Sequence, residues 1–175
     1  FPENLMGVVG LVESHVDPEA IRRGLEEFSP LPYRASRLNL NGGPNVYNDS
    51  KATNPHAVEA LLERIEGPFR LVLGGGAKEA NCGSLVERLG RREPSALRLC
   101  GDGSAVQELR ELCDRHRVDY EHCENWEQGV KEMVTGADPG ETVLLSPGGT
   151  SFDAFRDYRH RGEQFETWTR EVLDS

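Results

Sequence analysis

Residues 70–113 read RLVLGGGAKEANCGSLVERLGRREPSALRLCGDGSAVQELRELC. A short apolar strand, Arg70 to Leu73, runs into three glycines, and a helical stretch follows from Ser84 to Leu89. A second strand, Leu97 to Cys100, runs into Gly101-Asp102-Gly103, after which Val106, Leu109, Leu112 and Cys113 recur at helical spacing. Strand, loop and helix thus occur twice in succession. That alternation predicts parallel strands, which need a crossover of about this length, whereas antiparallel strands can be joined by a tight turn.

The same pattern extends outward in both directions. Upstream, Ser36 to Leu40 and Pro44 to Asn48 form two short strands across a turn at Asn41-Gly42-Gly43. A helix starting at Pro55 carries Val58, Leu61, Leu62 and Ile65 on one face. Downstream, Val118-Asp119-Tyr120 reads as a weaker strand, and a helix with Trp126, Val130 and Met133 follows. Thr142 to Leu145 is the last strand, and the C-terminal helix carries Phe155, Tyr158, Phe165, Trp168 and Val172. The expected fold is a Rossmann-like α/β domain, a mostly parallel sheet with helices on both faces. The first thirty residues differ. Leu5, Val8, Val9 and Val12 mark one helix; Asp17-Pro18 restarts the chain as N-cap and first helical residue, ahead of Ile21, Leu25 and Phe28. Pro30-Leu31-Pro32 then breaks the pattern, which divides the chain into a helical segment, 1–29, and the α/β domain, 30–175.

With 37% hydrophobic and 29% charged residues among 175, the chain has the material for one core. A net charge of −10, with no cluster of Lys and Arg to reverse it, excludes nucleic acid and anionic membranes as expected partners. The apolar runs are far too short to span a bilayer. Phe1-Pro2-Glu3-Asn4 shows no Met and no secretory signal, which leads us to expect a segment of something longer, or a processed chain. Cys82, Cys100, Cys113 and Cys123 lack zinc-site spacing; Cys100 and Cys113 fall on apolar faces, and a reducing, cytoplasmic setting is expected.

Ligands of open α/β sheets bind beyond the carboxyl ends of the strands. Three segments leave strand ends there: Asn48 to Asn54 (NDSKATN), Gly74 to Lys78 (GGGAK) and Ser146 to Ser151 (SPGGTS). The glycine loop fits no nucleotide fingerprint, because Glu79 stands where a phosphate loop needs Ser or Thr and a dinucleotide loop needs Gly. It reads either as a tight turn or as an anion site on Lys78 and free backbone N–H groups. In the first segment Pro55 fits the first helical position and Asn54 the N-cap, which sets Thr53 at the positive end of the helix with Lys51 nearby. That arrangement suits an anion, although helix initiation alone accounts for Asn54 and Pro55. Thr150 and Asp153 have capping-box spacing, which predicts a helix start there, Ser151 in its first turn, and close ligand approach over Gly148-Gly149. No Gly-x-Ser-x-Gly elbow supports a serine nucleophile. Arg156, Arg159 and Arg161 alternate with Asp157 and Glu163 and read as ordinary helix surface.

Taken together these residues resemble the Mur ligase family, and within it the branch that adds D-glutamate. The strongest mark is Asn48-Asp49-Ser50-Lys51-Ala52-Thr53-Asn54, which is similar residue for residue to that branch's signature. Phe28 to Arg34 (FSPLPYR) and the stretch from Leu144 to Phe165, with Arg161-Gly162, resemble the flanking motifs. Pro30 and Tyr33 depart from the usual Gly and His, Gly148-Gly149-Thr150 from small residues, and Tyr158 from Phe. The resemblance implies the C-terminal domain of a three-domain, ATP- and Mg2+-dependent ligase that joins D-glutamate to UDP-N-acetylmuramoyl-L-alanine through an acyl phosphate, in peptidoglycan synthesis. It implies that Arg34, Asp49 and Asn4 contact ATP, and that Lys51, Thr53, Lys78, Ser151 and Tyr158 shape the D-glutamate site. Residues 1–29 would be the tail of the central ATPase domain, and the N-terminal and central domains the partners. With no phosphate loop and no magnesium-binding glutamate recognised, the segment alone is expected to hold no cofactor and to be inactive. The alternative is a stand-alone Rossmann-like binding or regulatory module.

Overall fold

The structure is a computed structural model; it describes the backbone of residues 2–28, 31–40, 42–77 and 81–174, with side chains from Met6 onward. The chain divides into two compact units, Phe1–Leu31 and Pro32–Ser175. The first holds helices α1 (Pro2–Val12) and α2 (Pro18–Glu26), the latter capped at Asp17 with Pro18 leading. Arg22 bridges Glu19 and Glu26 along α2. Met6, Val8, Leu11 and Phe28 are exposed.

The second unit is built on a six-stranded sheet. Its strands are β1 (Ser36–Arg37), β2 (Asn45–Asn48), β3 (Phe69–Gly74), β4 (Ala96–Cys100), β5 (Glu121–Cys123) and β6 (Thr142–Gly148). In space they lie in the order β1-β2-β6-β3-β4-β5, and every pair is parallel except β1 with β2. The helices are α3 (Pro55–Leu62), α4 (Gly83–Arg92), α5 (Ser104–His116), α6 (Trp126–Thr135) and α7 (Tyr158–Leu173). Strand periodicity assigns each side chain its face. Leu71, Leu73, Leu97, Leu99 and Leu144 pack with Val58, Leu62, Leu85, Leu89, Val106 and Leu109 of α3, α4 and α5. Val46, Val72, Val143 and Leu145 pack on the other face with Val130 and Met133 of α6 and Phe165 of α7. The expected doubly covered sheet is present. Cys82, Cys100 and Cys113 are buried free thiols, and burial pushes Cys113 up to about 11, which makes it packing rather than chemistry.

Some expected boundaries move. The strand assigned to Val118–Tyr120 lies at Glu121–Cys123. Arg117 takes a left-handed conformation and Val118 N–H donates to Cys113 O, closing α5, so Val118 is buried as part of the helix ending. β1 is two residues rather than five, and α3 stops before Ile65, which still packs against the core. Thr150 starts no helix. Its N–H and C=O pair with Gly76 in an antiparallel bridge, and α7 starts at Tyr158, with the Asp157 carboxylate accepting from His160 N–H at 2.8 Å. Phe155 therefore precedes α7, and Ser151 lies in the loop before it rather than in a first helical turn.

Candidate functional site

The sheet topology locates a crevice. β6 lies between β2 and β3; the helices that follow β2 and β3 cover one face, whereas α7, after β6, covers the other. Chain segments leaving neighbouring strands toward opposite faces open a gap at the carboxyl ends. The three segments singled out in the sequence meet there, although about a hundred residues separate the first from the last.

Main-chain bonds join the first segment to the third. Asp49 N–H donates to Leu145 O at 2.7 Å, and Gly148 N–H donates to Ala52 O at 2.9 Å. The third joins the glycine loop through the Gly76–Thr150 pair, at 3.0 and 2.7 Å. The approach is close enough to require glycine. A Cβ on Gly75, whose φ is +105°, would stand 2.2 Å from Thr150 O, and one on Gly149 would stand 2.8 Å from Gly74 O. These glycines pack backbone on backbone and tighten the loops.

Asp49 is 6% exposed, and both its oxygens are engaged: Oδ1 accepts from Ala35 N–H at 3.0 Å and Oδ2 from Ser146 Oγ–H at 2.8 Å. Burial pushes its carboxyl up to about 6 against the opposing pull of these two bonds and of the Arg34 charge. Arg34 sits between two non-glycine residues with positive φ, Tyr33 at 61° and Ala35 at 49°. Each left-handed residue costs about 1–2 kcal/mol, offset here by Lys51 N–H donating to Tyr33 O and by Ala35 N–H donating to Asp49. The Tyr33 ring also packs over Gly162. The backbone around Arg34 is thus fixed from three sides.

Asn54 caps α3 as expected, its Oδ1 accepting from Ala57 N–H at 3.0 Å, so half-buried Thr53 stands directly before the helix N-terminus. Lys51 Nζ lies 4.2 Å from the centre of the Tyr158 ring, a cation–π contact. The Tyr158 phenol is held below its ordinary value by Arg159 and, secondarily, by Lys51. Ser151 is 2% exposed, and its carbonyl accepts from Phe155 N–H at 2.8 Å. Lys51, Thr53 and Tyr158 are therefore joined to Ser151 by one bonded framework, with Arg34 and Asp49 beside them. Lys78 and the Asn4 side chain lie outside the described residues.

Two residues shape the crevice in ways the sequence did not indicate. Arg161, taken for helix surface, is 1% exposed, and its guanidinium donates to Ser50 and to the carbonyls of Gly149 and Thr150. Asn48 donates through Nδ2 to Gly162 O at 3.0 Å and to Glu166 at 2.9 Å, tying β2 to α7. The Arg161-Gly162 pair was visible as part of a motif, but nothing local distinguishes a buried arginine from a solvated one.

Among known families, the one described as Mur ligase, glutamate ligase domain, matches residues 33–149, which take in β1 to β6 and the loops after β2 and β3. The chain belongs to the Mur ligase family. Curated members similar to it include the UDP-N-acetylmuramoylalanine–D-glutamate ligase of Thermotoga maritima, 34% identical over 164 residues, covering 93% of this chain and 37% of that protein. The ligase of the same name from Synechococcus is 31% identical over 174 residues, covering 97% of this chain and 37% of that protein. The chain thus spans little more than a third of these relatives. Among solved structures, the UDP-N-acetylmuramate-alanine ligase of Thermotoga maritima shares the fold, with a TM-score of 0.66, 13% identity, and coverage of 98% of this chain and 36% of that one. The folylpolyglutamate synthase/dihydrofolate synthase of Yersinia pestis, complexed with AMPPNP and Mn, matches at TM-score 0.57 and 25% identity over 74% of this chain and 31% of that one. Among the described residues, no helix is long and apolar enough to cross a membrane.

Proposed function

We propose that this chain is the C-terminal domain of a cytoplasmic, ATP-dependent ligase that joins D-glutamate to UDP-N-acetylmuramoyl-L-alanine, and that the crevice beyond β2, β6 and β3 holds D-glutamate. The reading is supported by the main-chain bonds that join the segment of Lys51 and Thr53 to the segment of Ser151, by the Lys51–Tyr158 contact, and by a family described as Mur ligase, glutamate ligase domain. D-glutamate brings two carboxylates and an amine that must stay neutral to attack. Its site needs donors for the carboxylates and little else. Lys51 and Lys78 supply charge, Thr53 with the α3 N-terminus faces one carboxylate, and Ser151 serves the other.

ATP supplies the phosphoryl group that activates the acceptor carboxylate, and Mg2+ would accompany it. The residues described here fit the rim of such a site. The Arg34 guanidinium matches phosphate oxygens, and Asp49, occupied by Ala35 and Ser146, fixes the segment that carries it. Asn4 would belong to the nucleotide side as well, with residues 1–29 forming the end of a central ATPase domain. The N-terminal and central domains of the same enzyme are the partners this reading requires. Closing the domain over the acyl phosphate would orient the amine and exclude water.

The test is steady-state kinetics of Lys51→Ala and Ser151→Ala in the intact ligase. Losing a charge-assisted contact costs about 1.5–3 kcal/mol, so KM for D-glutamate should rise roughly tenfold to a hundredfold while KM for ATP moves much less. Unchanged D-glutamate kinetics in both variants, or a larger change in the ATP constant, would remove the loops from the amino-acid site.

A further inference from the structure

Arg161 has the largest side chain among the fully buried residues of the described chain. Its Nε donates to Ser50 Oγ at 3.0 Å and Nη2 to Ser50 O at 2.8 Å. Nη1 donates to Gly149 O at 3.1 Å and to Thr150 O at 3.3 Å. The guanidinium carbon lies 5.9 Å from the Trp126 ring centre. All four acceptors are neutral oxygens, and Asp153 acts on the guanidinium as a nearby charge. Burial pulls the guanidinium down to about 10, which reflects the cost of holding that charge away from water. An apolar side chain of similar size would avoid that cost but would take the donor away from buried acceptors such as Ser50 O and Gly149 O. The directed donors therefore do something that packing alone cannot.

We infer that Arg161 is the positioning residue of the crevice: its planar fork spans the segments after β2 and β6 and sets the separation at which Lys51, Thr53 and Ser151 meet one ligand. The node continues beyond the arginine. Ser50 Oγ accepts from Arg161 and donates to Tyr158 O at 2.8 Å, so the ring under Lys51 hangs from the same point. Lysine cannot replace this geometry, because a single ammonium lacks donors in the three in-plane directions that the fork occupies. The ligand part of the inference rests on the D-glutamate reading; the clamp itself rests on geometry alone.

The test uses the intact ligase, as in the kinetic experiment above. Amide hydrogen exchange and D-glutamate titration followed by NMR would be compared in the wild type, Arg161→Lys and Ser50→Ala. In Arg161→Lys the amides of Ala52, Gly148 and Thr150 should exchange at least tenfold faster, while those of Leu71 to Leu73 in β3 change by less than about twofold. The apparent Kd for D-glutamate should rise tenfold or more. Loop amides that exchange as in the wild type, or that accelerate only in step with β3, would overturn the inference by reducing Arg161 to packing. Should Arg161→Lys fail to fold, Ser50→Ala carries the same two readouts, with the same expected directions. Loop-selective exchange in a wild-type background that shows no D-glutamate response would keep the clamp and discard the glutamate reading. D-glutamate bound equally well by wild type and variant would discard the clamp.

Discussion

Asp49 shows how a single residue here trades stability for position. Its carboxyl is pushed from 3.8 up to about 6 by burial, so the folded state holds its proton more tightly than the unfolded chain does. Stability from this group is present in full below about 4 and is lost as the pH rises through 6, which amounts to roughly 3 kcal/mol at neutral pH. Asparagine keeps an acceptor for Ala35 N–H, and the Ser146 hydroxyl can turn to accept from its amide. Asp49→Asn should therefore gain stability relative to the wild type between pH 4 and 7, measured by urea unfolding at a series of pH values. A difference that does not vary with pH would show that the wild-type carboxyl titrates normally. The complete ligase should lose activity in the same variant, since Arg34 needs the charge beside it.

Elements were legible where their signals are local. Asn54 and Pro55 announced α3 because a cap and a first-turn proline act within one turn of chain. Thr150 carried the same code and misled, because its N–H and C=O were already taken by Gly76, 74 residues away in sequence. Lys51 and Thr53 were legible as a motif and Tyr158 as a departure from one, whereas the burial of Arg161 was not legible, since burial is set by what α7 packs on. α7 offers a direct check of that packing. Glycine inside a helix normally costs about 0.5–1 kcal/mol relative to alanine. At Gly162, however, an added Cβ would stand 2.5 Å from the Tyr33 ring. Gly162→Ala should therefore destabilise by about 1–3 kcal/mol in thermal or chemical unfolding, and Tyr33→Ala in the same chain should recover most of the loss. A stabilised Gly162→Ala would mean that Tyr33 does not rest on α7.

At the scale of the molecule, the sheet order was beyond reach of the sequence, and it is the sheet order that creates the site. Periodicity gave strands and helices, but nothing local says that β6, last in the chain, inserts between β2 and β3. That insertion brings 49–54, 74–76 and 148–151 to one crevice, and the negative charge elsewhere on the surface disfavours nucleic acid as its occupant. The exposed apolar residues of α1 and α2 match the proposal that this segment ends another domain. The decisive property of the crevice is which amino acid it takes. Phosphate release by the intact ligase, supplied with ATP, Mg2+ and UDP-N-acetylmuramoyl-L-alanine, decides it when D-glutamate, L-glutamate, L-alanine and a diamino acid are compared. Saturable release with D-glutamate, and at least a hundredfold lower kcat/KM with the others, is the predicted result; release that depends on another amino acid, or none with D-glutamate, would contradict it.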